Sequence, residues 1–288
     1  MTNKRRPEWL KVRLSRNRAY HEVRELIESL ELHTVCKSAR CPNMGECWSR
    51  RTATFMILGD ICTRNCRFCA VSKGIPQPPD PSEPERLADA VLRLGLRHVV
   101  ITSVTRDDLP DGGSEFFVQS VNSIRKKSSG CSVELLIPDF HQNLQALDEV
   151  FDAEPDILNH NLEVVPRLYS DVRPAADFEW SLEILARTKK NKLISKTGIM
   201  IGLGESWEEI MILMHQLAEI QLDILTIGQY LQPTQKHTSV IKYYHPDEFL
   251  KLKKTGEALG INHVESGPLV RSSYHADEQI ACLHSLSH

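Results

Sequence analysis

Short apolar runs alternate with longer amphipathic stretches over most of the chain. The first run is Thr54-Phe55-Met56-Ile57-Leu58, and further runs cover 98–102, 133–137, 156–160, 196–201 and 223–227. Between and after them lie six stretches predicted as helices, 85–95, 114–127, 142–152, 178–190, 206–220 and 247–259. Continuous apolar strands alternating with helices indicate a parallel sheet covered on both faces. Six such units are too few for an eight-stranded barrel. The pattern therefore predicts an α/β fold, a partial (βα)6 TIM-like barrel, with a doubly wound sheet as the alternative. In both, the chemistry sits at the C-terminal ends of the strands. Those ends carry polar residues: Cys62 after the first run, Ser103 and Asp107 after the second, Asp139 and His141 after the third. Asn161 and Glu163 follow the fourth, Gly202 and Glu205 the fifth, Gln229 the sixth.

The segments outside the alternation read differently. Residues 17–31 predict a helix capped by Asn17, with Val23, Leu26, Ile27 and Leu30 on one face. Cys36, Cys41 and Cys47 follow in a stretch with Pro42 and Gly45, expected as a loop. The expected division is an N-terminal extension at 1–51, the barrel at 52–260 and a C-terminal extension at 261–288.

Composition narrows the function classes. A chain of 288 residues with 41% hydrophobic content can bury a sizeable core, and a net charge of −3 gives no global pull toward nucleic acid or membrane. No apolar run approaches the roughly 20 residues of a membrane span. The start lacks the apolar region of a secretory signal, so a cytoplasmic location is expected. Residues 1–18 hold seven Lys/Arg against one acid, Glu8, and read as a solvated basic arm.

Cysteine usage changes the picture most. Six of the eight cysteines lie between Cys36 and Cys69. A large chain with thiols bunched in this way suggests metal sites rather than disulfides. Cys131 and Cys282 stand apart and read as structural or incidental. Cys62-Thr63-Arg64-Asn65-Cys66-Arg67-Phe68-Cys69 has the spacing C-x3-C-x2-C directly after the first strand. Structural zinc sites favour four protein ligands, and electron-transfer ferredoxins have a different four-cysteine run. Three thiolates on a cubic cluster leave one iron open for chemistry.

In that position the spacing resembles the signature of the radical S-adenosylmethionine (SAM) superfamily. The resemblance implies that Cys62, Cys66 and Cys69 hold a 4Fe–4S cluster whose open iron takes the amine and carboxylate of SAM. Reductive cleavage of SAM then yields a radical that abstracts hydrogen from an unactivated carbon.

Cys36-x4-Cys41-x5-Cys47 is a second set of three, also one ligand short. A zinc knuckle and free thiols are the plain alternatives to a second cluster. Together with the tail motif Arg271-Ser272-Ser273-Tyr274, the two cysteine sets are similar to those of the lipoyl synthase family. The similarity runs from Arg6-Pro7-Glu8-Trp9-Leu10 to Tyr274-His275-Ala276 and includes Arg106-Asp107-Asp108-Leu109, Asn159-His160-Asn161-Leu162-Glu163 and Gly202-Leu203-Gly204-Glu205. Val164, Ala175 and Ser239 depart from the family pattern, which has Thr, Gly and Pro there.

This resemblance implies insertion of two sulfur atoms, at C6 and C8 of an octanoyl group on a carrier-protein lysine. Two SAM molecules are spent per product, and a second 4Fe–4S cluster is consumed as sulfur donor. That cluster would be held by Cys36, Cys41, Cys47 and a serine. Adjacent Ser272 and Ser273 are not separable by spacing; the resemblance assigns Ser273, with Arg271 and Tyr274 as its support. It also assigns Phe68, Asn161, Glu163 and Arg173 to SAM; a surface ion pair is the plain alternative for Glu163 and Arg173. Implied partners are an octanoylated lipoyl carrier domain or H protein, an electron donor such as flavodoxin or ferredoxin, and an iron–sulfur cluster carrier. A monomer is expected, because a carrier domain must dock at the barrel mouth. Another radical SAM sulfur inserter, biotin synthase-like, is the alternative.

Overall fold

The structure, a computed structural model, describes residues 6–12 and 17–280; Cys282 and the basic residues Lys4, Arg5, Arg13 and Arg16 lie outside the described residues. Helix α1 (Arg18–Ser29) starts where the sequence predicts, with Asn17 Oδ1 accepting from the Tyr20 N–H at 3.0 Å. Next come β1 (His33–Thr34), α2 (Val35–Ser38), α3 (Met44–Ser49), β2 (Thr54–Ile57), β3 (Ile61–Cys62), β4 (Ser72–Lys73), α4 (Glu83–Leu94), β5 (His98–Ser103) and α5 (Ser114–Lys127). The chain continues through β6 (Ser132–Leu136), α6 (Leu144–Asp152), β7 (Ile157–Asn159), α7 (Tyr169–Val172), α8 (Phe178–Lys190) and β8 (Ile194–Ile201). It ends with α9 (Trp207–Glu219), β9 (Ile224–Gln229), α10 (Pro246–Ala258) and β10 (His263–Gly267).

The main sheet has the order β1-β2-β5-β6-β7-β8-β9-β10. Every neighbouring pair is parallel except β1 with β2. A doubly wound sheet reverses its strand order at a switch point. Here the order follows the chain and the end strands β1 and β10 do not pair, so the sheet is an open barrel.

All six predicted strands are present, and β10 is a parallel strand beyond them. Only Val264 of β10 is fully buried, so its residues form no apolar run; backbone pairing with β9, from His263 opposite Ile224 to Gly267 opposite Gly228, makes it a strand. The expected loop at 36–47 also needs correction. It is two helices of one or two turns, too short to show helical periodicity. Thr34 caps the first, and Pro42 falls between them.

One apolar core lies between the β2–β6 side of the sheet and α1, α4, α5 and α6; a second surrounds β8, β9, α9 and α10. The interior also holds a polar knot. Lys196 and Glu134 are both fully buried and pair at 2.8 Å, and Asn159 donates to the other Glu134 oxygen at 2.8 Å. Among the described residues no helix is long and apolar enough to cross a membrane.

Candidate active site

A cavity of about 550 Å³ opens at the C-terminal ends of the strands. Both thiol triplets line it: Cys62, Cys66 and Cys69 from the loop after β2, and Cys36, Cys41 and Cys47 from α2, α3 and the turn between them.

The first triplet is pinned to the barrel by its own loop. Arg64 sits between Cys62 and Cys66 and is buried, with 6% of its side chain exposed. Its guanidinium grips Asp107 at 2.7 and 2.8 Å and Asp139 at 2.6 and 2.6 Å. Two such forks on one planar cation match its donor geometry. The carboxylates come from the ends of β5 and β6, so the clamp ties the cysteine loop to two strands. The Thr63 N–H donates to Thr105 O at 3.1 Å, and the Arg67 N–H to Val172 O at 2.8 Å. His237 Nε2 lies 3.0 Å from Cys69 O, and its Nδ1 lies 2.8 Å from Thr234 Oγ1.

The second triplet is completed from the far end of the chain. Asn43 Nδ2 donates to Leu269 O at 2.7 Å, and Thr54 Oγ1 donates to Ser273 Oγ at 2.7 Å. Tyr274 Oη donates to both Glu46 oxygens, at 3.1 and 3.2 Å. The tail passes so close over β9 that a Cβ on Gly228 would stand 2.1 Å from Val270 O. Glycine is the only residue that this approach allows.

Between the triplets lie the residues considered for SAM. Asn161 and Glu163 follow β7, and Asn161 Nδ2 donates to Glu163 Oε1 at 3.1 Å and to Ser272 Oγ at 3.3 Å. Glu163 has φ of +67°, a left-handed conformation that costs about 1–3 kcal/mol for a residue other than glycine. Two backbone bonds hold it: its N–H donates to Gly198 O at 2.9 Å, and its carbonyl accepts from Met200 at 2.7 Å. A Cβ on Gly198 would lie 2.8 Å from Asn161 Oδ1. Arg173 is buried and donates to Asn161 O at 2.7 Å and Leu162 O at 3.1 Å, so it forms no surface ion pair. Phe68 lines the cavity and packs on the second core.

The electrostatics follow from enclosure. Burial pushes the Cys36 thiol up to about 11, with the neighbouring Cys41 charge adding and the Thr54 N–H partly offsetting. Cys47 is pushed up to about 12 by burial and by Cys36 and Cys41, and Cys69 to about 12 by burial and by Cys66 and Cys62. Burial also raises Glu163, against the pull of Arg173, and lowers the Arg271 guanidinium, against the pull of Cys41 and Glu163. Arg271 thus feels both halves of the site.

This donor set fits iron–sulfur clusters. Among the described residues no three His, Cys, Asp or Glu side chains close on a single ion position. Thiolates are the usual protein ligands of iron–sulfur clusters, which are several atoms wide, and both triplets line one cavity. The cavity also holds buried polar atoms without partners: Asn161 Oδ1, Arg173 Nε and Ser103 Oγ. Such atoms are uncommon in folded proteins and suit a polar ligand such as SAM.

Several strand-end residues serve the frame instead. Glu205 accepts from the Gly202 and Leu203 N–H groups at 2.6 and 3.0 Å. Gln229 bonds Ile201 O, Tyr230 O and Lys242 O. Asp111 holds the start of α5, accepting from the Gly113 and Glu115 N–H groups at 3.1 and 3.0 Å. Sequence reasoning placed Asp139 at a strand end but missed Arg64, Glu46 and His237 as site-building residues. An arginine inside the cysteine motif with aspartates at two strand ends was a usable signal; nothing local marked His237.

Comparison with known proteins gives the same picture. The Radical SAM superfamily profile matches residues 56–217, and the N-terminal domain of lipoyl synthase matches residues 1–41. Among solved structures, Streptococcus suis SuiB bound to S-adenosylmethionine superposes with a TM-score of 0.56 at 12% identity, covering 74% of this chain and 50% of that one. Methylornithine synthase (PylB) gives 0.56 at 15% identity over 85% of this chain and 81% of its own. At such identities these two establish the fold alone. The lipoyl synthase of Rubrobacter xylanophilus is 55% identical over 276 residues, 95% of this chain and 86% of that protein. That of Caldanaerobacter subterraneus is 55% identical over 275 residues, 95% and 96%. With this likeness along nearly its full length, and with the superfamily profile spanning most of its barrel, the chain belongs to the lipoyl synthase family of radical SAM enzymes.

Proposed function

We propose that this chain inserts two sulfur atoms into an octanoyl group carried on a protein lysine, at C6 and C8, to give the lipoyl group. The observation that carries this reading is the single cavity lined by two thiol triplets and by Ser272 and Ser273. When bound there, SAM and one cluster supply the hydrogen-abstracting chemistry, at two SAM per product, and the second cluster supplies the sulfur.

The chain's own residues hold, orient and enclose these groups. Cys62, Cys66 and Cys69 hold the SAM cluster on the clamped loop. Cys36, Cys41 and Cys47 hold the second cluster, with Ser273 as fourth ligand. Thr54 supports that choice of serine: it lines the cavity beside the second triplet and its hydroxyl meets Ser273, whereas Ser272 meets Asn161. An alkoxide is a poorer match than thiolate to a soft cluster, so it suits a ligand that must let go. Asn161, Glu163 and Arg173 would present polar groups to SAM, and the Phe68 backbone would contact its adenine. Arg271 and Tyr274 keep Ser273 in place.

In this reading residues 1–51 and 261–288 supply the second cluster's ligands and 52–260 the first cluster's. The acyl-lysine arrives on a lipoyl carrier domain or H protein, electrons come from a flavodoxin or ferredoxin, and an iron–sulfur carrier restores the spent cluster. Cluster-binding thiols kept reduced need a reducing compartment such as the cytoplasm. The test is anaerobic incubation of reconstituted protein with SAM, reductant and an octanoyl-lysyl peptide, followed by mass spectrometry. The peptide is expected to gain two sulfurs in place of two hydrogens; a peptide of unchanged mass overturns the proposal.

A further inference from the structure

The segment that carries Ser273 is not held by the barrel alone. Three carboxylates and one guanidinium meet at its end, Glu46 and Arg50 from the N-terminal segment and Asp277 and Glu278 from the tail itself. Glu46, on α3 next to Cys47, accepts from Tyr274 Oη at 3.1 and 3.2 Å, and its Oε1 lies 3.1 Å from His275 Nε2. The Tyr274 and His275 rings stack, with centroids 3.9 Å apart and planes at 22°, so one carboxylate meets both rings at their polar edges. Glu278 lies 3.2 Å from the other ring nitrogen of His275. Arg50 Nη2 joins Glu278 at 2.6 Å and Asp277 at 3.8 Å.

These contacts surround a strained link. His275 has φ of +54°, in the left-handed region that residues other than glycine avoid. Such a conformation persists only where the surroundings hold it. Here the holding groups are Arg50 and Glu46 at Nε2, 2.9 and 3.1 Å away, and Glu278 at Nδ1. Upstream the tail is fixed independently, by Asn43 on Leu269 O and by the close pass of Val270 over Gly228. Residues 271–275 therefore span two anchors, and Glu46 belongs to the second.

We infer that Glu46 is a positioning residue for Ser273: through Tyr274 and His275 it sets the turn that presents the serine hydroxyl to the second thiol triplet. This rests on the reading that Ser273 is the fourth ligand there. Glu46 does not touch the ligand atoms; it acts through the two rings. The same carboxylate sits one residue from Cys47, so movement of α3 and movement of the tail are coupled. A serine seated by a remote, half-exposed carboxylate can leave and return without disturbing the barrel.

The test uses the full chain with both clusters reconstituted, comparing wild type with Glu46→Ala, Glu46→Gln and Glu278→Ala. Two readouts are taken: amide hydrogen exchange across residues 268–278, and sulfur inserted per SAM cleaved. In Glu46→Ala, exchange across 271–275 is expected to rise about tenfold or more while 268–270 changes little. Sulfur inserted per SAM cleaved is expected to fall about tenfold, within the range seen when an outer support of a metal ligand is removed. Glu46→Gln keeps the shape and one acceptor oxygen and should recover part of both. Glu278→Ala, which cuts only the outer hold, should move both readouts less than Glu46→Ala does. Exchange and ratio in Glu46→Ala within twofold of wild type overturn the inference, as does a rise in exchange with no fall in the ratio. If Glu46→Ala does not fold, Glu46→Gln carries the test alone, and unchanged exchange there overturns it. A wild type that makes no sulfur product would defeat the functional reading, while the exchange comparison would still report on the latch.

Discussion

The two thiol triplets share a cavity and are built by opposite means. Cys62, Cys66 and Cys69 lie within eight consecutive residues, and Arg64 between them is locked by carboxylates at two strand ends. Cys36, Cys41 and Cys47 lie on two short helices, and their surroundings are finished by a tail more than 200 residues away. The first site is part of the barrel, while the second is an assembly of the two chain ends around it. A centre that must survive every turnover belongs in the first kind of site. A centre proposed to be dismantled and rebuilt belongs in the second, where ligands can separate without unfolding the core.

Replacing one thiol in each set is the strongest way to break this comparison. Cys66→Ala is expected to abolish SAM cleavage and, with it, all product. Cys41→Ala is expected to stop sulfur insertion while sparing part of the SAM cleavage. Chromatographic measurement of SAM cleavage beside mass spectrometry of the peptide checks both. Equal loss of both activities in the two variants would mean that the triplets form one functional unit.

The next largest effect concerns the clamp. Asp139→Asn takes one carboxylate from a buried pair whose Arg64 and Asp139 side chains are 6% and 4% exposed. Breaking a buried pair from one side costs about 3–5 kcal/mol. Chemical denaturation of the apo protein is expected to show a loss of that order. Arg64→Lys keeps the charge and loses the double fork, so iron retained on the Cys62–Cys69 loop is expected to fall about 10-fold. A variant that keeps full iron and stability would show that the loop is shaped by the cluster rather than by the protein.

How much of this was legible in the sequence follows the same division. The apolar runs disclosed six strands because parallel strands bury both faces. They could not disclose β10, whose strand character comes from pairing with β9. The cysteine spacing exposed both triplets because each lies within about a dozen consecutive residues. Arg64 looked like any basic loop residue, since its partners Asp107 and Asp139 stand 43 and 75 positions away. His237 reaches Cys69 across 168 positions and Glu46 reaches Tyr274 across 228. Spacing motifs report what one segment can bind. They are silent on which distant segment holds it, and in this molecule that is where the two sites differ.

The serines sharpen the comparison on a smaller scale. Ser273→Ala is expected to reduce sulfur insertion about tenfold by removing the proposed fourth ligand, on the scale of other losses at metal sites. Ser272→Ala removes only an acceptor for Asn161 Nδ2 at 3.3 Å and should act on SAM affinity instead. Measuring the SAM KM against the rate of sulfur insertion separates the two. The reverse pattern would give the ligand role to Ser272.

Thr54→Val should have the smallest effect and is the most diagnostic of how the halves meet. Thr54 is the first residue of β2, so it belongs to the barrel, yet its hydroxyl donates to Ser273 on the tail. Valine keeps the shape and removes only the hydroxyl. A single hydrogen bond of this kind contributes about 1 kcal/mol, equivalent to roughly a fivefold change in an equilibrium. Sulfur insertion is therefore expected to fall about fivefold or less, and thermal stability to change little. If the loss instead matches that of Ser273→Ala, the barrel strand and not the tail latch sets the serine. The second site would then be less separable from the barrel than its contacts with the chain ends imply.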